Sequence, residues 1–272
     1  MPLKKSERQR TSASSPTPKN SAPAAPSKKH DPEFSCVEPE ILFSDNHLLI
    51  VNKPPGLLSQ ADRTGDPDML NLAKAWIKQV FDKPGNVYVG LVHRLDRPVS
   101  GVLALARTSK AAARLSAQFR DGTPVKKYIA LAEGRTPEGG TCRDYLLKDE
   151  HQNVSIVSAG HPGARFAELD WKAIVFHKGR TLLDITLKTG RAHQIRAQLA
   201  AQGIPIAGDV RYGARTPFDG KNLALHCYCL ELEHPVHKVR MCWTAFPPPA
   251  WQGFFDREIE RIIQQAASSA LQ

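Results

Sequence analysis

The stretch His93-Arg94-Leu95-Asp96-Arg97-Pro98-Val99-Ser100-Gly101 sets one carboxylate between two arginines. A neighbouring guanidinium favours the ionised form of an Asp. An ionised carboxylate in a loop shaped by Pro and Gly can serve as a nucleophile or general base near neutral pH. The same spacing also suits an Asp–Arg pair that only fixes a loop. A second group, Lys188-Thr189-Gly190-Arg191-Ala192-His193-Gln194-Ile195-Arg196, ends a strand-like run and opens a helix. His193, Arg196 and Ala200 fall near one face of that helix, beside Ile195 and Leu199. Backbone N–H groups at the helix start, with Arg191, suit a phosphate, and Arg196, one turn in, can reach a partner carboxylate. A capped surface helix would read the same way. The third candidate is Tyr128 in Lys126-Lys127-Tyr128-Ile129-Ala130, which alternates with apolar neighbours as a tyrosine of a core or sheet face also does.

Rival chemistries lack their residues. The chain has no phosphate-binding G-x-x-x-x-G-K-[ST], no G-x-G-x-x-G after a strand, no H-E-x-x-H and no G-x-S-x-G. Among ten histidines, His234-x-x-His237 flanks a turn at Pro235 and is no persuasive ligand spacing. Cys227 and Cys229 are one residue apart inside an alternating run, with no second pair, whereas structural zinc sites want wider spacing. No metal or cofactor is expected. Cysteines at 36, 142, 227, 229 and 242 make an odd count in a chain that is not small, so reduced thiols are expected.

The elements that must position these groups follow from pattern. His47 to Val51 is a short apolar run ended by Asn52-Lys53-Pro54-Pro55-Gly56, a turn signal. Residues 68–81 read as a helix with Leu72, Trp76 or Ile77, and Val80 on one face. Val102 to Ala106 reads as a buried strand. Ser109 reads as the N-cap of a helix over 110–119, with Leu115 and Phe119 at i, i+4. Strands are expected over 126–132, 166–176, 181–187 and 223–232, the last paired with 239–244. Helices are expected over 192–202, closed by Gly203, and over 258–267. Strands outnumber singly placed helices without a βαβ rhythm. That predicts an α+β fold with a mixed, largely antiparallel sheet and flanking helices.

The whole chain has 272 residues and a net charge of +10. One medium domain with a tail fits that length, and the excess of basic residues points to nucleic acid. Residues 1–35 hold seven Lys/Arg against three Asp/Glu, with six Pro and seven Ser. Such a segment is too polar to offset its ordering entropy. It reads as a disordered basic tail, either an arm for RNA or a solvated segment with no role. Residues 36–272 read as the catalytic domain. No apolar run approaches the ~20 residues that span a membrane, no secretory signal is expected, and a cytoplasmic monomer is the expectation.

Taken together, the ordered motifs resemble those of the RluA-type RNA pseudouridine synthases. The resemblance runs from about Ile41 to Pro249. It rests on Asn52-Lys53-Pro54-x-Gly56, His93-Arg94-Leu95-Asp96-x-x-x-Ser100-Gly101, Lys127-Tyr128-x-Ala130, Thr189-Gly190-Arg191-x-His193-Gln194-Ile195-Arg196, Ile204-Pro205-Ile206-x-Gly208-Asp209, Leu225-His226 and His234-Pro235. It implies the pseudouridine synthase fold with a central active-site cleft, and isomerisation of uridine in ribosomal or transfer RNA without cofactor or metal. Asp96 matches the family's catalytic aspartate, Tyr128 the tyrosine that stacks on the target base, and Arg196 the basic residue paired with the aspartate. Arg94 matches an arginine that helps extrude the nucleotide. His93, Arg97, Arg191, His193, Lys53 and Lys127 are expected to contact RNA. Val99 and Leu169 stand where the family usually has Thr, Arg97-Pro98 resembles the subset that acts on transfer RNA, and no S4 RNA-binding domain is recognisable before Ile41. An idle RNA-binding protein or RNA chaperone on the same fold is the alternative.

Overall fold

Alternation buries both faces of the apolar run after His47, which is why it folds as a strand. In the computed structural model, which describes residues 38–150 and 152–269, β1 (Glu40–Ser44) turns at Asp45 into β2 (Leu48–Lys53). Leu49 and Val51 face one core, Leu48 and Ile50 another. The basic tail at residues 1–35 lies outside the described residues. α1 (Met69–Val80) starts where Asp68 accepts a hydrogen bond from the Asn71 N–H. Its buried stripe is Met69, Ala73 and Ile77; of the expected face Ile77 is buried and Leu72 and Trp76 pack half-buried on the same core, but Val80 is 55% exposed. The small Ala73 is what a search for large apolar side chains passes over.

β3 (Gly90–Leu91) and β4 (Ser100–Ala106) follow, then α2 (Ser109–Asp121). The cap of α2 is Thr108, not Ser109: Thr108 holds the extended backbone a cap requires, and its hydroxyl accepts from the Ala111 N–H. Next come β5 (Val125–Glu133), β6 (Gly139–Lys148), β7 (Val154–Val157), β8 (Arg165–His177) and β9 (Arg180–Leu187). The sequence reading passed over β1, β6 and β7, strands with mostly exposed or half-buried residues. α3 (Gln194–Ala201), β10 (Leu225–Glu233), β11 (Arg240–Thr244) and α4 (Asp256–Ser269) complete the order.

These strands form one mixed sheet in the order β1-β2-β4-β10-β5-β9-β8-β6-β7, with β11 added on β10 and β3 on β4. Its pairs are antiparallel except β4 with β10. β10 is the junction: it pairs with β5 along one edge, and with β4 and then β11 along the other. α1 and α3 cover the face carrying Leu49, Leu103 and Ala130. α2 and α4 cover the opposite face, over Ile50 and Val102 and over Ile129 and Leu131 respectively. The α+β expectation is met.

β4 begins before the expected Val102, and Gly101 lies within it with φ +122°, where it meets β10. A Cβ at Gly101 would sit 2.2 Å from the Cys227 carbonyl oxygen. Only glycine allows this close parallel approach, which sets the loop preceding β4 beside β5.

Candidate active site

The loop before β4 and the turn before α3 meet over β5. Asp96, Tyr128 and Arg196 line one cleft together with Arg94, Arg191 and His193. Its empty space, open mouth included, is about 370 Å³. Asp96 and Arg196 are 100 residues apart in the chain, yet Arg196 donates to Asp96 Oδ2 at 3.1 Å. Asp96 Oδ1 makes no hydrogen bond to any described residue and is the oxygen free to meet a ligand.

Arg196 is held from behind. Asp209, 1% exposed, accepts from its Nε at 2.6 Å and its second terminal nitrogen at 2.9 Å, a bidentate pair. Burial works against the Arg196 charge, and Asp209 with Asp96 outweighs it, so the pKa is raised. The Tyr212 ring lies 5.0 Å from the guanidinium carbon. The Tyr212 hydroxyl bonds Val154 and His193 Nδ1. His193 Nε2 lies 3.7 Å from Asp96 Oδ2. Burial lowers the His193 pKa although Asp96 opposes it, so the ring is neutral at pH 7.

The helix opens two residues later than expected because His193 takes a left-handed backbone, φ 48°, uncommon for a side chain of this size. Buried Gln194 closes the turn. Its Oε1 accepts from the Thr189 hydroxyl and the Arg191 N–H, and its Nε2 donates to the Glu168 carbonyl. The Arg191 N–H thus has an internal acceptor rather than being open to phosphate.

Tyr128 faces the cleft next to a β-bulge in β10 between Cys227 and Cys229, the kind of irregularity that re-aims side chains at sites. Burial, Cys227 and Asp96 together raise the Tyr128 pKa well above its ordinary value, so it stays a phenol.

Four expected RNA contacts lie elsewhere. Lys53 is fully buried and donates to the carbonyls of Pro54, Leu57 and Arg97. It staples the loop that carries Asp96. Burial pulls its pKa down to about 7, against the favourable charge of Asp96. Arg97 bonds the Gly56 carbonyl and Asp66. The His93 ring stacks on Phe119 at 4.3 Å, its Nε2 accepts from the Ala104 N–H, and burial pushes its pKa down to about 3. Lys127 points to the back of the sheet, toward Asp184 and Cys229. Its neighbour Lys126 shares the cleft face with Tyr128. Asp209, Tyr212 and Lys126 were not singled out from sequence. Alternation along β5 was the signal for Lys126; Asp209 stood in a quoted motif without a role.

Asp45, His234 and His237 bring potential ligand atoms within 4.8 Å of one another. The ligand atoms of Asp45 and His234 are already in use. His234 Nδ1 accepts from the backbone of Val236 and His237, and Nε2 faces Asp45 Oδ2 at 2.8 Å. The cluster clamps two turns. Cys229 and Cys242 are free thiols with sulfurs 3.3 Å apart.

A cleft with a free carboxylate oxygen, an aromatic wall and a cationic rim, in a chain of net charge +10, defines an enzyme acting on a nucleotide of a polyanionic strand. The chain belongs to the RNA pseudouridylate synthase family, which matches residues 47–201. It is 31% identical over 225 residues to the ribosomal large subunit pseudouridine synthase D of Pseudomonas aeruginosa, covering 77% of this chain and 68% of that one. It is 34% identical over 209 residues to an RNA pseudouridine synthase of Bacillus subtilis, covering 75% and 67%. The solved structure of human RNA pseudouridylate synthase domain containing 4 shares the fold, with a TM-score of 0.64 at 22% identity over 77% of this chain and 89% of that one. The protein is an RNA pseudouridine synthase, an isomerase that converts uridine in RNA to pseudouridine.

Proposed function

We propose that Asp96 is the group that acts at the ribose of the target uridine, in ribosomal RNA of the large subunit. The observation that carries the first part is the asymmetric grip on Asp96. Arg196, itself locked by Asp209, holds Oδ2 and leaves Oδ1 facing the cleft. Breaking an N-glycosidic bond and remaking it at carbon needs an anionic group beside the sugar. The free oxygen serves either attack on C1′ or removal of the C2′ proton, and a preorganised carboxylate spends no reorganisation energy at that moment. Tyr128 supplies the wall against which the detached uracil turns, and its protonated hydroxyl is a donor, not a base. Arg94, exposed at the rim, fills the space left by a flipped base, while Arg191 and His193 complete the RNA-facing rim. The relatives named for the large ribosomal subunit support the choice of RNA, and a cytoplasmic site of action is in keeping with that choice.

The test is Asp96→Ala, assayed for pseudouridine by mapping large-subunit RNA from cells that carry only the variant. Product should fall on the order of 10³-fold or more, with RNA binding retained. Undiminished product would refute the assignment of Asp96, and an unmodified wild-type difference map in ribosomal RNA would refute the substrate.

A further inference from the structure

Lys126 is a mostly buried lysine whose ammonium still reaches solvent and has no partner among the described residues. It is 8% exposed, and among the described residues its ammonium has neither a hydrogen-bond acceptor nor a carboxylate within ion-pair distance. Buried charges are ordinarily paired, and the two other buried cations of this region obey the rule: Lys53 has three carbonyls and Arg196 two carboxylates. The Lys126 ammonium instead lies against the turn between β9 and α3, and a Cβ at Gly190 would meet its Nζ at 3.2 Å. Gly190 and Arg191 are exposed. Arg191 adds positive charge to the same spot and thereby further disfavours a second cation. Beyond the bond from its Nε to the Phe166 carbonyl, the Arg191 side chain has no partner among the described residues, nor has that of Arg94 across the cleft. Asp96 is the one carboxylate lining the cleft, and Arg196 already holds it. Two cations, Lys126 and Arg191, thus meet at an exposed glycine turn with no counter-charge among the described residues.

We propose that Lys126, under the Gly190 turn with Arg191, binds a phosphodiester group of the RNA strand next to the uridine that enters the cleft. A phosphate offers several acceptor oxygens and a full charge, which is what an unpaired ammonium beside a guanidinium lacks. The glycine lets the strand approach the ammonium without a side chain in between. The site fixes the backbone on one side of the flipped nucleotide, so Lys126 is a positioning residue and does not touch the reacting atoms. The inference rests on the pseudouridine synthase reading for the identity of the strand.

The experiment uses a stem-loop RNA around a uridine that the full-length enzyme modifies, made with a single neutral methylphosphonate linkage at each position in turn. Wild type should lose affinity, by about tenfold, at one linkage flanking the target. Lys126→Met should lose a similar factor on unmodified RNA and become indifferent to that linkage. Because the substitution removes a partly desolvated ammonium that no described residue pairs, the free variant should melt no lower than wild type, which a structural lysine would not allow. Lys126→Arg, which keeps the charge, should restore part of the affinity. A wild-type linkage profile in Lys126→Met, or a lower melting temperature with unchanged affinity, would overturn the proposal. So would stabilisation of wild type by inorganic phosphate, lost in Lys126→Met, without any linkage effect; that result would assign the site to free phosphate. Binding is read without turnover, so product formation by Asp96→Ala would remove the assigned chemistry while leaving this result standing.

Discussion

At the scale of single residues, the site depends on side chains that never meet RNA. Asp209 is the clearest. Its two bonds orient the Arg196 guanidinium, and both partners are buried. Asp209→Ala leaves that guanidinium without its main counter-charge, which should cost about 3–5 kcal/mol of stability and release Asp96 Oδ2. Urea unfolding with a pseudouridine assay checks this, and a stable, fully active variant would show that Asp96 alone orients Arg196. Lys53 gives a prediction in pH. Its folded pKa, about 7, lies below its ordinary value of 10.5. Between those values the unfolded chain binds the extra proton, so the contribution of Lys53 to stability rises as pH rises from about 7 toward 10. The stability of wild type relative to Lys53→Met should therefore increase over that window, and a difference that stays flat would mean that the three carbonyls keep the ammonium charged.

Elements decide which of these residues meet. The parallel approach of β4 to β10 requires Gly101, and through it the Asp96 loop lies beside Tyr128. Gly101→Ala puts a methyl into the backbone of Cys227 at a φ that side chains avoid. The expected cost is about 3 kcal/mol or more, read as a lower urea midpoint; an unchanged midpoint would mean that β4 can shift along β10. Much of this level was legible in advance. The turn at Asn52 to Gly56, the strands from β8 to β11 and the helices α2 and α4 followed from period and punctuation, within a few residues. The misreadings were local contests with more than one competent residue. Thr108 and Ser109 can both cap a helix, and small Ala73 competes with bulky Leu72 for the buried face. His193 delays its helix by a left-handed turn that no propensity foretells.

On the scale of the whole molecule, charge governs encounter with RNA. A net charge of +10 predicts that affinity falls steeply with salt, with a slope of about 0.7–0.9 per phosphate contacted. Removing residues 1–35, with seven Lys/Arg against three Asp/Glu, should shallow that slope if the tail serves as an arm. Filter binding across a salt series measures both slopes, and identical values would assign the tail no part in binding.

The amino-acid sequence by itself determined the α+β class, the basic character and the short list that held Asp96, Tyr128 and Arg196, because residue type, period and motif order are local properties of the chain. Tertiary structure decided the partnerships. It put Asp209 behind Arg196, made struts of Lys53 and His93 and paired Arg97 with Asp66 and the Gly56 carbonyl, and sent Lys127 to the back of the sheet while Lys126 lay under the Gly190 turn. Each of those outcomes depends on which groups remote in the chain occupy the neighbouring space, and on whether burial leaves a charge a partner. Neighbours in sequence carry no record of either.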